Sequence, residues 1–210
     1  MIDPILKKLN SLYTLNELSK QNIKLAKTSF SIQQFNADGL GNVTVLQSKE
    51  FFGLIKIETI IINPFERDIP LLMYKRTYGL FKDVLRCEML DTRVENGVVP
   101  EYIKKLNEYK GKYDIDIKPS WNKDILFKES IYKKTINRSF LDSITTNFFN
   151  AYLRWSIQVG VYDKHLRKAK AKAYTEDLLR NGNHEIDVLV REKGREYTQE
   201  LYRNVILGTK

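Results

Sequence analysis

Apolar and polar residues alternate over much of the first half of the chain, whereas apolar residues recur at helical spacing over most of the second half. The strand-like segments are residues 28–36, a return strand that begins near Val43, and residues 54–62, 71–78 and 81–90. Turn signals such as Asp38-Gly39 and Asn63-Pro64 separate them and favour short connections. The pattern therefore predicts five or six antiparallel strands before residue 95.

Helical patterns flank this strand-rich block. Asp3-Pro4 begins a short amphipathic helix, and Pro100 begins another. The strongest helical pattern covers residues 140–159, where Ser139 and Asp142 resemble a capping box. Three further helices are predicted at residues 163–182, 183–194 and 197–205. Because an antiparallel meander buries only one face by itself, we expect the later helices to cover it, in an α+β fold with a pocket between the layers.

Length and composition indicate a single domain, residues 1–210. The chain is 42% hydrophobic and contains no repeat or linker, so it is long enough to bury a core of its own. Cys87 is the only cysteine, which excludes an internal disulfide and favours a cytoplasmic protein. His165 and His184 are far apart in the sequence, so we expect no metal. No apolar segment is long enough to span a bilayer, and we expect no membrane partner.

The charge balance indicates an anionic partner, or simply a need for solubility. Lys and Arg number 35 against 26 Asp and Glu, which gives a formal net charge of +9. The densest positive run lies at residues 163–172. It is interpreted either as a solvated helix face or as a docking site for an acidic partner, and nucleic acid is a secondary option. Its candidate docking residues are Lys164, Arg167, Lys168, Lys170 and Lys172.

Several short strings resemble the ferredoxin-dependent bilin reductases and the related red chlorophyll catabolite reductase, and they keep the order of that family over about 150 residues. In the strand-rich half the strings are Asn63-Pro64, Asp68-Ile69-Pro70 and Cys87–Thr92. In the helical half they are Pro119-Ser120-Trp121, Leu126-Phe127, Val188-Leu189, Lys193-Gly194, Glu196-Tyr197 and Leu207-Gly208. The resemblance rests on this shared order, because each string is weak alone.

The resemblance implies a three-layer α/β/α sandwich with a central antiparallel sheet. It also implies that a linear tetrapyrrole (bilin) is held between the sheet and the C-terminal helices. Members of the family bind no cofactor of their own. They take single electrons from external reduced ferredoxin or flavodoxin, and their side chains supply the protons. An acidic ferredoxin or flavodoxin is therefore the implied protein partner, and a basic surface suits both it and the carboxylates of the substrate.

The resemblance also implies where a site would lie, although this chain differs from the family there. Thr59 takes the position of a proton-donating His, with Glu58 beside it. Lys75 takes the position of the sheet Asp, with Arg76 next to it. Asn183 takes the position of a second Asp, followed by His184. The predicted catalytic residues are accordingly Glu58, Lys75 and His184, and the predicted substrate-binding residues are Thr59, Arg76 and Asn183.

Four of these residues also have a purely structural interpretation. Glu58 is then an outward-facing strand residue, Lys75 and Arg76 form an exposed strand end, and His184 caps a short helix. Three functions remain open at this point. They are a divergent reductase of a bilin, a non-catalytic tetrapyrrole carrier that has lost the acids, and a basic adaptor that binds nucleic acid or an acidic protein.

Overall fold

The computed structural model describes residues 2–26, 28–50, 53–95, 97–116 and 121–210, and in this part of the chain seven antiparallel strands form one sheet. Every strand pairs with its neighbours in sequence, so the order across the sheet is the order along the chain. The strands are β1 (Leu15–Lys24), β2 (Thr28–Ala37), β3 (Gly41–Glu50), β4 (Ile55–Pro64), β5 (Leu71–Tyr78), β6 (Asp83–Leu90) and β7 (Ile131–Thr135).

The predicted strands and the turn at Asp38-Gly39 are confirmed, and the structure adds the two edge strands. Gly39 has a φ of 80°, which a glycine adopts without strain. β1 and β7 were not predicted from the sequence. β1 buries only Ile23 and is mostly polar, whereas β7 is short and contains two lysines. Edge strands are often polar in this way, and the apolar alternation that marks inner strands is then missing.

The helices follow the predicted order. They are α1 (Ile2–Leu12), α2 (Glu101–Lys104), α3 (Arg138–Gln158), α4 (Lys164–Asn181), α5 (His184–Lys193) and α6 (Arg195–Leu201). A 3₁₀ turn over Lys105–Tyr109 extends α2, and one turn of π-helix over Tyr202–Ile206 extends α6. Among the described helices, none has the length and apolar character that crossing a membrane requires.

The predicted cap of the long helix α3 is replaced by a neighbouring residue. Asn137, rather than the predicted Ser139 with Asp142, caps α3, because its side-chain oxygen accepts a hydrogen bond from the backbone N–H of Phe140 at 3.0 Å. Asp163 caps α4 through the backbone N–H groups of His165 and Leu166. Each cap satisfies donors that a helix N-terminus otherwise leaves unpaired.

The buried apolar side chains form two clusters, one on each face of the sheet. Ile60 belongs to the first cluster and the next residue, Ile61, to the second, and successive strand residues point to opposite faces. The first cluster contains side chains of α1, α2 and α3. The second contains side chains of α4, α5 and α6. The two sheet faces are therefore packed against different sets of helices.

The C-terminal turn is held on the second face by polar side chains of the sheet. Thr44 donates a hydrogen bond to the carbonyl oxygen of Val205 at 2.9 Å, and Asn63 donates one to that of Leu207 at 2.8 Å. Gln34 donates to the carbonyl oxygen of Asn204 at 2.9 Å. These bonds satisfy carbonyl groups that the end of a helix leaves without partners. They fix the position of the last turn over β2, β3 and β4.

Candidate functional site

A group of polar and aromatic side chains lies on the sheet face that α4, α5 and α6 cover. The strand register places Lys75 opposite Thr59 on one side and opposite Arg86 on the other. Arg86 in turn pairs with Tyr132 of β7, and Glu88 lies two residues further along β6. Directly opposite residues of an antiparallel pair share a face, so all these side chains lie on the same face.

An ion pair joins this face to the start of α5. Lys75 contacts the Glu185 carboxylate, and Glu185 lies in the first turn of that helix. Partial burial raises the pKa of Glu185, but the charge and hydrogen bond of Lys75 outweigh it and hold the pKa below its usual range. Asn183 caps α5 by accepting a hydrogen bond from the backbone N–H of Ile186 at 2.9 Å. Exposed His184 is the first helical residue, also close to Glu185.

Glu88 is the carboxyl group of this face whose environment favours its protonated form. Burial raises the pKa of Glu88, and a hydrogen bond with Tyr132 and the charges of Arg86 and Lys75 offset only part of that rise. The carboxyl also raises the pKa of Tyr132, whose hydroxyl group is its hydrogen-bond partner, in addition to the effect of burial. A carboxylic acid that retains its proton closer to neutral pH is suited to act as a general acid.

Aromatic side chains of the helical layer border the same group. The Tyr174 ring lies 5.8 Å from the Trp121 ring, and its hydroxyl group lies 3.9 Å from the Met73 sulfur. Burial, followed by the charge of Glu88, raises the pKa of Tyr174. Tyr202 is buried in the same cluster, where burial and Glu185 raise its pKa. The arrangement combines flat apolar surfaces, a cation and a protonatable carboxyl group, a combination that can hold a planar carboxylate-bearing ligand and move a proton to it.

The predicted catalytic residues do not form one site. Lys75 and His184 both lie near Glu185, but Glu58 lies on the opposite sheet face, next to Tyr78 and Lys56 at 2.7 and 2.6 Å. Burial raises the pKa of Glu58, yet the hydrogen bonds from Lys56 and Tyr78 bring it below the usual range. Glu58 is therefore held as a carboxylate, which suits an acceptor of protons better than a donor.

The predicted substrate-binding residues are divided in the same way. Thr59 lies on the Lys75 face and is partly buried, and Asn183 serves as the cap of α5. Arg76 lies on the Glu58 face instead. It is fully buried, and its guanidinium donates to Asp83 at 2.9 Å. The alternative of an exposed strand end is therefore wrong for Arg76.

Of the five residues predicted to form the docking face, one is buried. Arg167 is fully buried, because its guanidinium binds the backbone oxygens of Pro64 and Ile69 at 3.0 Å each. Its assignment to an exposed docking face is wrong for this reason. Lys170 and Lys172 are exposed, Lys164 pairs with Glu66 at 2.9 Å, and Lys168 lies over the Phe65 ring.

Two open clefts lie elsewhere on the molecule. Their volumes are about 250 and 350 Å³, and Arg93 borders both, whereas Lys75 and Glu88 border neither. Arg93 is bound to Asp91 at 2.8 Å, and its guanidinium lies 5.0 and 5.7 Å from the centres of the Phe127 and Trp155 rings. Among the described residues, no three side chains of His, Cys, Asp or Glu are placed to hold a metal ion.

The sequence analysis did not single out Glu88, Tyr132, Tyr174 and Glu185. The sequence signal for Glu88 was the alternation of Arg86 and Glu88 with the apolar residues Leu85 and Cys87. The same alternation is typical of a strand whose polar face meets solvent, so it does not identify a site. The Pro119-Ser120 part of the family resemblance lies outside the described residues.

Comparison with known proteins gives a likeness of fold. No protein-family model matches the chain, and no curated protein matches it by sequence. Among solved structures, the crystal structure of phytochromobilin synthase from tomato in complex with biliverdin superposes with a TM-score of 0.78 at 14% sequence identity. The match covers 99% of this chain and 82% of that chain. The chain therefore has the α+β fold of a bilin reductase, as the resemblance implied.

Proposed function

We propose that this protein binds a linear tetrapyrrole between the Lys75 face of the sheet and the C-terminal helices, and that it reduces this ligand. The observation that carries the proposal is the fold match over 99% of the chain to a synthase structure that contains biliverdin. The polar and aromatic group around Lys75 and Glu88 supports it, since that group provides a cation, flat apolar surfaces and an acid. We also propose the three-layer α/β/α arrangement, supported by the two clusters on opposite sheet faces.

In this proposal the chain supplies binding and protons, and electrons arrive from outside. Reduction of one double bond consumes two electrons and two protons. Reduced ferredoxin or flavodoxin delivers the electrons one at a time, with no cofactor bound to the chain itself. Lys75 exchanges its Glu185 partner for a ligand carboxylate. Glu88 donates one of the two protons, which Tyr132 helps to position, and water supplies the other. His184 lies close enough to Glu185 to serve at the rim of the same site.

The test is an anaerobic absorption titration with biliverdin, followed by reduced ferredoxin. The unmodified protein is expected to shift the biliverdin spectrum on binding and to change it again on reduction. Glu88→Gln is expected to keep the first change and to slow the second at least tenfold. Glu58→Gln is the matched control, because Glu58 is an ionised carboxylate on the other sheet face. Absence of any spectral shift at micromolar biliverdin would contradict the proposal.

A non-catalytic carrier is the second candidate. Where the family has proton donors, this chain has Thr59, Lys75 and Asn183, which are not the acids and the histidine of the family. Asn183 also serves as a helix cap. Both observations favour a carrier. A carrier would bind biliverdin and leave its spectrum unchanged when reduced ferredoxin is added. The same titration therefore separates the two candidates.

A basic adaptor is the third candidate, and exposed Lys170 and Lys172 on α4 favour it. Such a protein would bind an acidic protein or nucleic acid with an affinity that falls steeply with salt, and it would bind no pigment. An acidic partner that docks on α4 is also part of the reductase proposal. Pigment binding therefore decides between these two functions.

A further inference from the structure

One end of the sheet carries a group of exposed apolar side chains. The antiparallel order places the β3–β4 turn, the β5–β6 turn and the end of β7 at the same end, because Ile55 pairs with Glu50, Lys56 with Tyr78 and Asp83 with Thr135. Among the described residues, four apolar side chains of this end have 57% to 85% of their surface exposed. They are Leu54, Leu80, Phe81 and Ile136. Phe81 is the most exposed of the four, at 85%.

The strand register brings these four residues close to one another. Lys56 pairs with Tyr78, so continuing the register past the strand ends brings Leu54 towards Leu80. Asp83 pairs with Thr135, so Ile136 lies beside the turn that carries Leu80 and Phe81. Neighbouring strands are about 4.8 Å apart, so the β3–β4 turn and the β5–β6 turn are separated by roughly two strand spacings. Leu54, the pair Leu80 and Phe81, and Ile136 therefore lie side by side along this end of the sheet.

Exposed cations surround this end, whereas two nearby acids are buried. Lys82 and Lys134 are exposed, and the side chains of Lys56 and Arg138 are 44% and 62% exposed. Asp83 and Glu58 are 1% and 2% exposed. Asp83 pairs with Arg76 at 2.9 Å and with Arg138 at 3.3 Å, and Glu58 pairs with Lys56 at 2.6 Å and accepts a hydrogen bond from Tyr78. With Arg76, five cations of this end therefore stand against four acids, Glu50, Glu58, Asp83 and Asp142, which leaves an excess of one positive charge. The charge presented outwards here is positive.

Exposed apolar side chains on neighbouring turns, with exposed lysines around them, can be compared with four kinds of partner: a second copy, another protein, nucleic acid and a lipid bilayer. A second copy would bring two positive ends together, and like charges oppose such contact. A stable protein partner needs about 800 Å² of matching surface on each side, which projecting turns do not offer without a shaped counterpart. Nucleic acid has no apolar layer for Leu and Ile. A fluid bilayer adapts to separate projections, accepts Leu and Phe at its interface, and attracts lysines when its lipids are anionic.

We propose that this end of the sheet docks on an anionic lipid bilayer, with Leu80 and Phe81 entering the interface beside Leu54 and Ile136. Lys82 and Lys134 then face the lipid headgroups, beside the ion-paired Lys56 and Arg138. The docking is peripheral, so it differs from the membrane-spanning segment whose absence led the sequence analysis to expect no membrane partner. It does not depend on the proposed tetrapyrrole chemistry.

The test is co-sedimentation of the purified full-length chain with two kinds of vesicle, phosphatidylcholine alone and phosphatidylcholine mixed with phosphatidylserine. The protein is expected to sediment with the mixed vesicles and to remain in the supernatant with the neutral ones. Phe81→Ser is expected to weaken binding to mixed vesicles at least tenfold, which corresponds to about 1.4 kcal/mol. Lys82→Gln is expected to weaken it about fivefold, because one cation near an anionic surface contributes about 1 kcal/mol.

Val98→Ser is the matched apolar control, since Val98 is 87% exposed and follows β6 at the opposite end of the sheet. Lys170→Gln on α4 is the matched charge control. Both controls should bind mixed vesicles like the unmodified protein. Equal weakening by Phe81→Ser and Val98→Ser would overturn the proposal, as would failure of the unmodified protein to sediment. Preference for soluble polyaspartate over mixed vesicles would indicate an acidic protein partner instead and would also overturn it. Circular dichroism verifies that each variant is folded.

Discussion

Arg167 is a buried cation that connects three segments of the chain. From α4 its guanidinium donates hydrogen bonds to the backbone oxygens of Pro64, Ile69 and Thr92 and to the Asp68 carboxylate. Asp68 also accepts hydrogen bonds from the backbone N–H groups at residues 94 and 95. Loss of the cation would leave a buried carboxylate and three carbonyl groups without this partner. Such groups are costly when they are unsatisfied.

We expect Arg167→Met to lower the free energy of unfolding by about 3–5 kcal/mol, the usual cost of removing one partner of a buried ion pair. Lys170→Met on the same helix is the control, because Lys170 is exposed, and it should change stability by less than about 0.5 kcal/mol. Urea unfolding followed by circular dichroism measures both. Similar stability of the two variants would contradict the structural role of Arg167.

Glu88 predicts a pH dependence of stability. Folding raises its pKa, so its favourable contribution is complete below the ordinary Glu pKa of about 4.3 and is lost as the pH rises through the folded pKa. Glu88→Gln has no proton to lose. We therefore expect its stability relative to the unmodified protein to increase between pH 4 and pH 8, as measured by urea unfolding at each pH.

Glu176→Gln is a control for which we expect the opposite pH dependence of stability. Glu176 accepts hydrogen bonds from Arg203 at 2.7 Å, and they lower its pKa. Its contribution is present above the ordinary Glu pKa and is lost as the pH falls through the folded pKa, so this variant should be the less stable one at neutral pH. The prediction for Glu88 fails if both variants shift with pH in the same direction.

Only part of the candidate site follows from the sequence. The ordered strings singled out Lys75, Asn183 and His184, and in the structure Lys75 on the sheet contacts Glu185 at the start of α5. They could not identify Glu88, because a charged residue that alternates with apolar ones has the same pattern whether its face meets solvent or a second layer. Glu58 and Thr59 are adjacent in sequence yet lie on opposite faces. A one-residue uncertainty in alignment therefore changes which of them belongs to the site.

The last turn of the chain is an element whose position depends on close contact with the sheet. Gly208 has a φ of 62°, and a Cβ atom placed there would lie 2.6 Å from the side chain of Asn42. Asn42 in turn donates a hydrogen bond to Thr44 at 3.0 Å, and Thr44 binds the carbonyl oxygen of Val205. A larger residue at position 208 therefore disturbs the bonds that hold the turn.

We expect Gly208→Ala to destabilise the protein by about 1–3 kcal/mol, through overpacking and an unfavourable backbone conformation. Gly160→Ala is the control, because a Cβ atom at Gly160 would contact nothing within 4 Å. Thermal unfolding of both variants tests this. An equal effect of the two substitutions would show that the contact with Asn42 is not tight.

Elements were predictable from the sequence where their periodicity was strong. The inner strands, α1, α3 and α4 all have clear alternation, helical spacing or end signals, and the structure confirms them. β1 and β7 lacked such a signal, because an edge strand that faces solvent needs few apolar residues. The π-helical turn at Tyr202–Ile206 was also beyond prediction, since its hydrogen bonds depend on the sheet beneath it.

At the scale of the whole molecule, the sheet is shared by both hydrophobic clusters. β4 contributes Ile60 to one and Ile61 to the other, so loss of the strand would expose both. We therefore expect one cooperative unfolding transition for residues 1–210, with the same midpoint by tryptophan fluorescence and by circular dichroism. Two separated transitions would contradict the prediction of a single domain.

The order of the sheet has a consequence for the synthesis of the chain on the ribosome. Strands β1 to β6 are complete by residue 90, and each new strand can pair with the one made just before it. Helices α3 to α6, which cover both faces, are translated later, and at about 5–20 residues per second this takes on the order of ten seconds. During that interval, of the described helices, only α1 and the short α2 can shield the apolar surfaces of the nascent sheet, which makes this chain a natural client for a ribosome-associated chaperone.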